Sequence, residues 1–357
     1  MNRAVIDRRE LTATDERELS GGVYFVAPGV WRIKDVFVNM FILQNVDGTE
    51  WVLVDAGLKS SAAKIKKAVE QVFGSVSSPK AIIMTHGHFD HRGSLLQLAD
   101  EWAVPIYCHH MEVPYLTGKA SYPPADPTVG GGMMTYMSFI YPKKPINVQS
   151  HLRELPEDGS IAELTEWRWI HTPGHTPGHI SLFRDRDGVL IAGDAVVTTK
   201  QESVYAIATQ APIVSSPPKY FTPDWGSAAR SLRMLADLEP NVLATGHGQT
   251  MYGDRARTGL HRMAKKFWIL GMPIKGRYVK EPALFNEDGP TYIPPARNNM
   301  LYLRMAAAVA LLVVGFVVYN KRQNASFFSR YNKDTGKKLM KAFPKVLSMP
   351  NLPAPIL

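Results

Sequence analysis

Apolar residues in the first part of the chain come in short runs: Val23-Tyr24-Phe25-Val26, Val30-Trp31-Arg32-Ile33, Asn39-Met40-Phe41-Ile42-Leu43 and Trp51-Val52-Leu53-Val54. Runs this short, rich in β-branched and aromatic residues, predict strands, and Asp47-Gly48 predicts a hairpin between the last two. The first twenty residues are charged and aperiodic, which predicts a loose arm with a short helical turn. Over 60–73 the period changes. Ile65, Ala68, Val69, Val72 and Phe73 share one helical face, Ser60 or Ser61 can cap its start, and Gly74 can end it. A strand at Ala81-Ile82-Ile83-Met84, a helix from Ser94 to Trp102 and a strand at Val104-Pro105-Ile106-Tyr107 continue the alternation, which suits α/β layers. Later strands are expected at Trp167-Arg168-Trp169-Ile170, Ile180-Ser181-Leu182-Phe183, Val189-Leu190-Ile191-Ala192 and Val242-Leu243-Ala244. Thr222-Pro223-Asp224 reads as a helix start, with a capping residue followed by proline in the first turn, and Pro240 as its stop. A last helix is expected from Arg255 to Leu270.

Candidate chemistry sits where the strand at 81–84 ends. His86-x-His88-x-Asp90-His91 places four possible metal ligands within six residues. One histidine after a strand is most simply a surface or hydrogen-bonded residue. Four ligands in one turn are hard to explain by packing, and imidazole with carboxylate suits zinc, iron or manganese. His175 lies between Pro173-Gly174 and Pro177-Gly178, turns that limit its backbone freedom.

His86-x-His88-x-Asp90-His91 resembles the signature of the metallo-β-lactamase fold superfamily. Thr172-Pro173-Gly174-His175-Thr176-Pro177-Gly178-His179, Ala192-Gly193-Asp194 and Thr245-Gly246-His247-Gly248 follow in matching order, so the likeness spans most of residues 20–250. The resemblance implies a four-layered αββα sandwich. It implies that His86, His88 and His175 hold one metal, that Asp90, His91 and His247 hold another, and that Asp194 lies between them. Two divalent ions, zinc in the simplest case and iron or manganese otherwise, would share a hydroxide that attacks a small ester, thioester or lactone. Asp90 is the candidate for holding that nucleophile or passing a proton to the leaving group. An iron-dependent oxygenase or reductase, or a phosphodiesterase or ribonuclease of the same fold, is the alternative. His171 and His179 read as structural. Asp55, at the end of its strand, is either a carboxylate behind the metal site or a plain turn residue. His109 and His110 are either pocket residues or ordinary loop histidines. The Pro-, Gly-, Tyr- and Met-rich stretch 114–145 is either a pocket wall or lid, or a surface insertion. Residues 195–221 read as a loop crossing the active face.

Composition changes the picture in two places. Cys108 is the only cysteine, so no disulfide within the chain and no cysteine-based metal site is expected, which fits a reducing compartment. The net charge is +9, but residues 321–357 carry eight Lys or Arg against Asp334 alone, a net +7 that leaves +2 for residues 1–320. A near-neutral catalytic part argues against a nucleic-acid enzyme, so a small-molecule substrate and no specific nucleic acid are expected. The organisation read from the sequence is a hydrolase domain at 1–270, a linker at 271–300, an apolar helix at 301–320 and a basic tail at 321–357. Met305 to Tyr319 is free of charge, which suggests membrane attachment of that helix and tail, or else a buried helix or dimer interface. With no signal-like N-terminal segment, the expected place is the cytoplasmic face of a membrane, otherwise the cytoplasm.

Overall fold

Two β-sheets lie face to face with helices on their outer sides, an αββα sandwich. The structure is a computed structural model, and it describes residues 16–74 and 77–296. The larger sheet holds eight strands in sequence order: β1 (Arg17–Ser20), β2 (Val23–Ala27), β3 (Val30–Asp35), β4 (Val38–Gln44), β5 (Trp51–Val54), β6 (Ile82–Ile83), β7 (Ile106–Cys108) and β8 (Leu152–Glu154). The first five pair antiparallel through tight turns. From β5 onward pairing is parallel, because α1 (Ala62–Phe73) and α2 (Leu95–Trp102) now carry the crossovers. The smaller sheet runs β13-β12-β11-β10-β9, from β9 (Trp167–His171), β10 (Ile180–Arg184), β11 (Val189–Ile191), β12 (Val242–Ala244) and β13 (Met251–Tyr252).

Three apolar clusters make the layers. Val26, Phe41, Val54 and Ile83 of the first sheet meet Ile180, Leu182, Val189 and Ile191 of the second in the central one. Ile33, Met40, Ile42 and Leu53, on the opposite face of the first sheet, pack on Ile65, Val69, Leu95 and Leu98 of α1 and α2. Phe183, Leu190 and Leu243 of the second sheet pack on α6 (Trp225–Asp237) and α7 (Gly253–Lys265). Strands buried on both faces carry no alternation, which is why they read as continuous apolar runs.

Several expectations shift. Residues 17–20 are an edge strand rather than a loose arm. Helix α6 begins at Trp225 with Asp224 as its cap, accepting from Ser227 N at 2.9 Å, so Thr222 and Pro223 precede it. Helix α7 stops at Lys265 and a π-turn follows over Phe267–Gly271. The stretch 114–145 carries α4 (Met133–Met137) after the short α3 (Val113–Leu116), and 195–221 carries α5 (Val204–Thr209). Residues 271–296, expected as part of a linker, belong to the same compact unit as the domain and pack on it. Tyr278 is buried and donates to Pro124 O at 2.6 Å, Ala283 is buried, and β14 (Leu284–Asn286) pairs with β15 (Gly289–Tyr292). Pro and Gly mask this packing in the sequence because they signal turns, and turns can lie against a core as well as between domains. The apolar helix expected at 301–320 and the basic tail lie outside the described residues. Among the described residues no helix is long and apolar enough to cross a membrane.

Candidate metal centre

The site forms where both sheets end. Strand β6 is fully buried and releases the chain into a turn closed by His91 N donating to His88 O at 3.0 Å. That turn presents His86, His88, Asp90 and His91 together, all buried. His175 arrives from the turn after β9. Gly174 there has a φ of 133°, and a Cβ on it would run into the backbone of Ala228 in α6, so only glycine lets the turn seat on that helix. Asp194 follows β11 and His247 follows β12, and Gly246 N donating to Gly193 O at 2.8 Å ties these two strand ends together.

All seven sequence-predicted ligands converge. Three groups have their ligand atoms within 4.8 Å of one another: His86, His88 and His175; His86, His91 and Asp194; Asp90, His91 and His247. His88 Nδ1 is 2.9 Å from His175 Nε2, and Asp194 Oδ2 is 3.5 Å from His175 Nε2 and 3.0 Å from His247 Nε2. Asp90 Oδ2 is 3.6 Å from His247 Nε2. Donor atoms around a tetrahedral ion with bonds near 2.1 Å sit roughly 3.4 Å apart, so these spacings suit a shared cation.

Hydrogen bonds behind the cluster decide which nitrogens face inward. His247 Nδ1 donates to Phe37 O at 2.7 Å, since a carbonyl can only accept. His91 Nδ1 donates to Asp55 Oδ2 at 2.8 Å. Thr85 Oγ1 donates to the same Asp55 oxygen at 2.8 Å, so its 3.0 Å contact with His86 is a bond donated by His86 Nδ1. Each ring therefore turns Nε2 into the centre. His86 Nε2, His91 Nε2 and Asp194 Oδ1 are buried without a hydrogen-bond partner. Orphaned polar atoms cost roughly 1–3 kcal/mol apiece unless something satisfies them, and three aimed at one point suit a bound cation.

The electrostatics agree. Burial, followed by neighbouring imidazoles, holds His86 and His88 well below the ordinary histidine range. Burial also outweighs the attraction of Asp194 and lowers His175 to about 3. All three are neutral, the form that binds metal. For His91 and His247 burial acts in the same direction but is overcome, by Asp194 and Asp55 for His91, which rises to about 10, and by Asp194 and Asp90 for His247. The carboxylate side of the cluster thus favours positive charge, which a divalent ion supplies.

Of the residues left open by the sequence, Asp55 proves to be the carboxylate behind His91 and, through Thr85, behind His86. His179 holds the backbone of Asp194: Asp194 N donates to His179 Nε2 at 2.9 Å, while the other ring nitrogen meets Thr172 Oγ1. His109 stacks on His171 with centroids 4.1 Å apart and does not line the metal pocket. Met134 and Tyr141 of the 114–145 stretch do line it, together with Phe37, Phe89, Pro218, Tyr220 and Phe221.

Two supports were missed from the sequence. Glu112, fully buried, accepts from Gly87 N, Gly178 N and Thr176 Oγ1 at 2.9, 2.9 and 2.7 Å, and from Tyr122, so one carboxylate ties the His88 turn to the His175 turn. Asn39 donates to Thr245 O and Gly248 O at 2.9 and 2.7 Å, bracketing His247 from strand β4. Neither carries a local signal. The partners through which they reach the metal turns and His247 lie 25 to 209 residues away.

A two-sheet sandwich with a histidine–aspartate cluster at the shared strand ends is the architecture of a metallo-hydrolase. The family model for the metallo-beta-lactamase superfamily matches residues 33–247, and the chain belongs to that superfamily. It is a metal-dependent hydrolase, 46% identical over 248 residues to the probable metallo-hydrolase YflN of Bacillus subtilis (strain 168), covering 69% of this chain and 94% of that one. An uncharacterized protein of the same organism, YobT, is 30% identical over 234 residues, covering 64% and 91%. The crystal structure of a beta-lactamase domain protein from Burkholderia ambifaria matches 72% of this chain and 81% of its own, with 22% identity and a TM-score of 0.48.

Proposed function

We propose that the enzyme hydrolyses a small, uncharged ester, thioester or lactone at a centre of two divalent ions, zinc in the simplest case. His86, His88 and His175 would hold one ion, Asp90, His91 and His247 the other, and Asp194 both. The position of Asp194 carries this reading: its Oδ2 is within 3.5 Å of a ligand nitrogen from each set. When bound, such ions make water a nucleophile near neutral pH and polarise a carbonyl oxygen. The protein's own groups do the rest. Asp90 faces the pocket with a carboxylate able to take a proton and return it to the departing oxygen or sulfur. Phe37, Phe89, Met134 and Phe221 wall the pocket with apolar surface that excludes bulk water and suits an uncharged substrate. Among the described residues no Lys or Arg lines it, which disfavours phosphodiesters and RNA. The uncharged stretch 305–319 and the basic tail after it support a place at the cytoplasmic face of a membrane.

Metal analysis and a substrate panel test this on the purified full chain. Two ions per chain are expected. Turnover of esters, thioesters or lactones should be lost on chelation, restored by zinc and unaffected by removing oxygen. Dominant phosphodiester cleavage, or turnover that needs iron and oxygen, would overturn it.

A further inference from the structure

The π-turn that ends α7 does not look like an ordinary surface. Residues 265–280 read Lys-Lys-Phe-Trp-Ile-Leu-Gly-Met-Pro-Ile-Lys-Gly-Arg-Tyr-Val-Lys, with five cations and no acid. Phe267 points into the core, but the next residues point out: Trp268 is 52% exposed, Ile269 79% and Ile274 100%. Scattered exposed apolar residues are normal. Three large ones within seven positions, beside Lys265, Lys266, Lys275 and Lys280, are not, because each costs free energy in water and nothing among the described residues covers them.

We propose that this turn docks on an anionic lipid bilayer, with Trp268, Ile269 and Ile274 entering the headgroup–acyl boundary and the surrounding lysines facing lipid phosphates. The pattern is that of an interfacial segment. Exposed aliphatic side chains gain from leaving water, tryptophan favours the boundary itself, and clustered lysines gain from anionic lipid. The fifteen uncharged residues 305–319 and the +7 tail come later in the same chain, so two further lipid-compatible segments follow the turn in sequence. A second copy of the chain would be a poor occupant, since the same lysine ring would meet itself.

The turn is also tied to a loop that walls the metal pocket. Lys219 Nζ donates to Leu270 O at 3.5 Å and Ser216 Oγ donates to Gly271 O at 3.1 Å. The loop that makes these bonds supplies Pro218, Tyr220 and Phe221 to the pocket wall. Docking would therefore bring a wall of the pocket close to the lipid surface, where uncharged esters concentrate.

The chain offers its own reporter. Of seven tryptophans, Trp31, Trp51, Trp102, Trp167, Trp169 and Trp225 are buried or half-buried, and Trp268 alone is exposed. Full-length protein would be mixed with vesicles of phosphatidylcholine and phosphatidylglycerol carrying bromine high on the acyl chains. Tryptophan emission should be quenched, the quenchable part should vanish in Trp268→Phe, and it should fall about tenfold in Ile269→Asn/Ile274→Asn. Pure phosphatidylcholine, or high salt, should weaken it. Vesicle binding that leaves Trp268 open to aqueous iodide would overturn the proposal, as would an unchanged quenchable part in Trp268→Phe. So would absence of vesicle binding, or concentration-dependent shielding of Trp268 without vesicles, which would mark a self-association face.

Discussion

Replacing Asp55 with Asn isolates what the buried carboxylate does for the metal ligands. Asp55 has a φ of 61°, a left-handed conformation that Asn tolerates nearly as well as any residue but Gly, so the backbone should not object. The side chains will. Asp55 accepts three bonds: from Thr85 N and Thr85 Oγ1 at 2.8 Å each, and from His91 Nδ1 at 2.8 Å. An amide has one oxygen. If that oxygen keeps Thr85 N, the amide nitrogen faces His91 Nδ1, donor against donor. His91 escapes by moving its proton to Nε2, the atom that must carry a lone pair to bind metal. Losing a charge-assisted hydrogen bond in a buried site costs about 1.5–3 kcal/mol. Loss of a carboxylate behind a metal-binding histidine lowers affinity about 10–100-fold, or about 1.4–2.7 kcal/mol, so the two routes agree. The expected result is a metal affinity weaker by that factor, measured by competition with a chromophoric chelator at neutral pH; the metal-free protein should also unfold earlier, because the same carboxylate holds its charged His91. In a His91→Ala background the same substitution should do clearly less, since only the path through Thr85 to His86 remains. An unchanged affinity in Asp55→Asn, or an equal loss in both backgrounds, would refute the tautomer argument.

Two further outcomes follow from other parts of the site and its surroundings. Gly246→Ala would place a Cβ against Asp194 Oδ1 and 2.8 Å from His91 Cε1; metal content should fall about tenfold or more while the far-ultraviolet circular dichroism stays native, and a variant that retains its metal would contradict the geometry. Burial, then the adjacent His171 and His110, lowers His109 to about 3, against about 6.5 unfolded, so the unfolded chain takes up the proton first as pH falls. The contribution of His109 is complete above about pH 6.5 and drains away towards pH 3, amounting to about 2 kcal/mol between pH 7 and pH 5. His109→Asn keeps an acceptor for Met111 N but cannot titrate. Urea unfolding should show wild type losing that much more stability than the variant over this window, and equal losses would exclude His109 as the cause.

The metal turn was legible from its residues because ligand density is a local property: four ligands in six positions have no packing explanation. Most strands of both sheets and α1 were legible for a related reason; the edge strands β1, β8 and β13 were not. A strand buried on both faces or a helix buried on one must write its burial into neighbouring positions. The seven candidate ligands were assignable only because the resemblance joined four separate segments, and composition or period alone would have left His175, Asp194 and His247 as unconnected residues. What tertiary structure decided is of another kind. Nothing near Glu112 announces that its carboxylate will tie two metal turns together, and nothing near Asn39 announces Thr245 and Gly248. His109 could face the pocket or stack on His171 with the same local sequence, and the stack is chosen by where β9 lies beside the end of β7. Residues 271–296 looked like a linker because turn residues signal direction changes and are silent about what the turns rest against. Periodicity records that a side chain leaves water. Which partner it meets there is set by long-range pairing, and that appears only when the sheets have closed over one another.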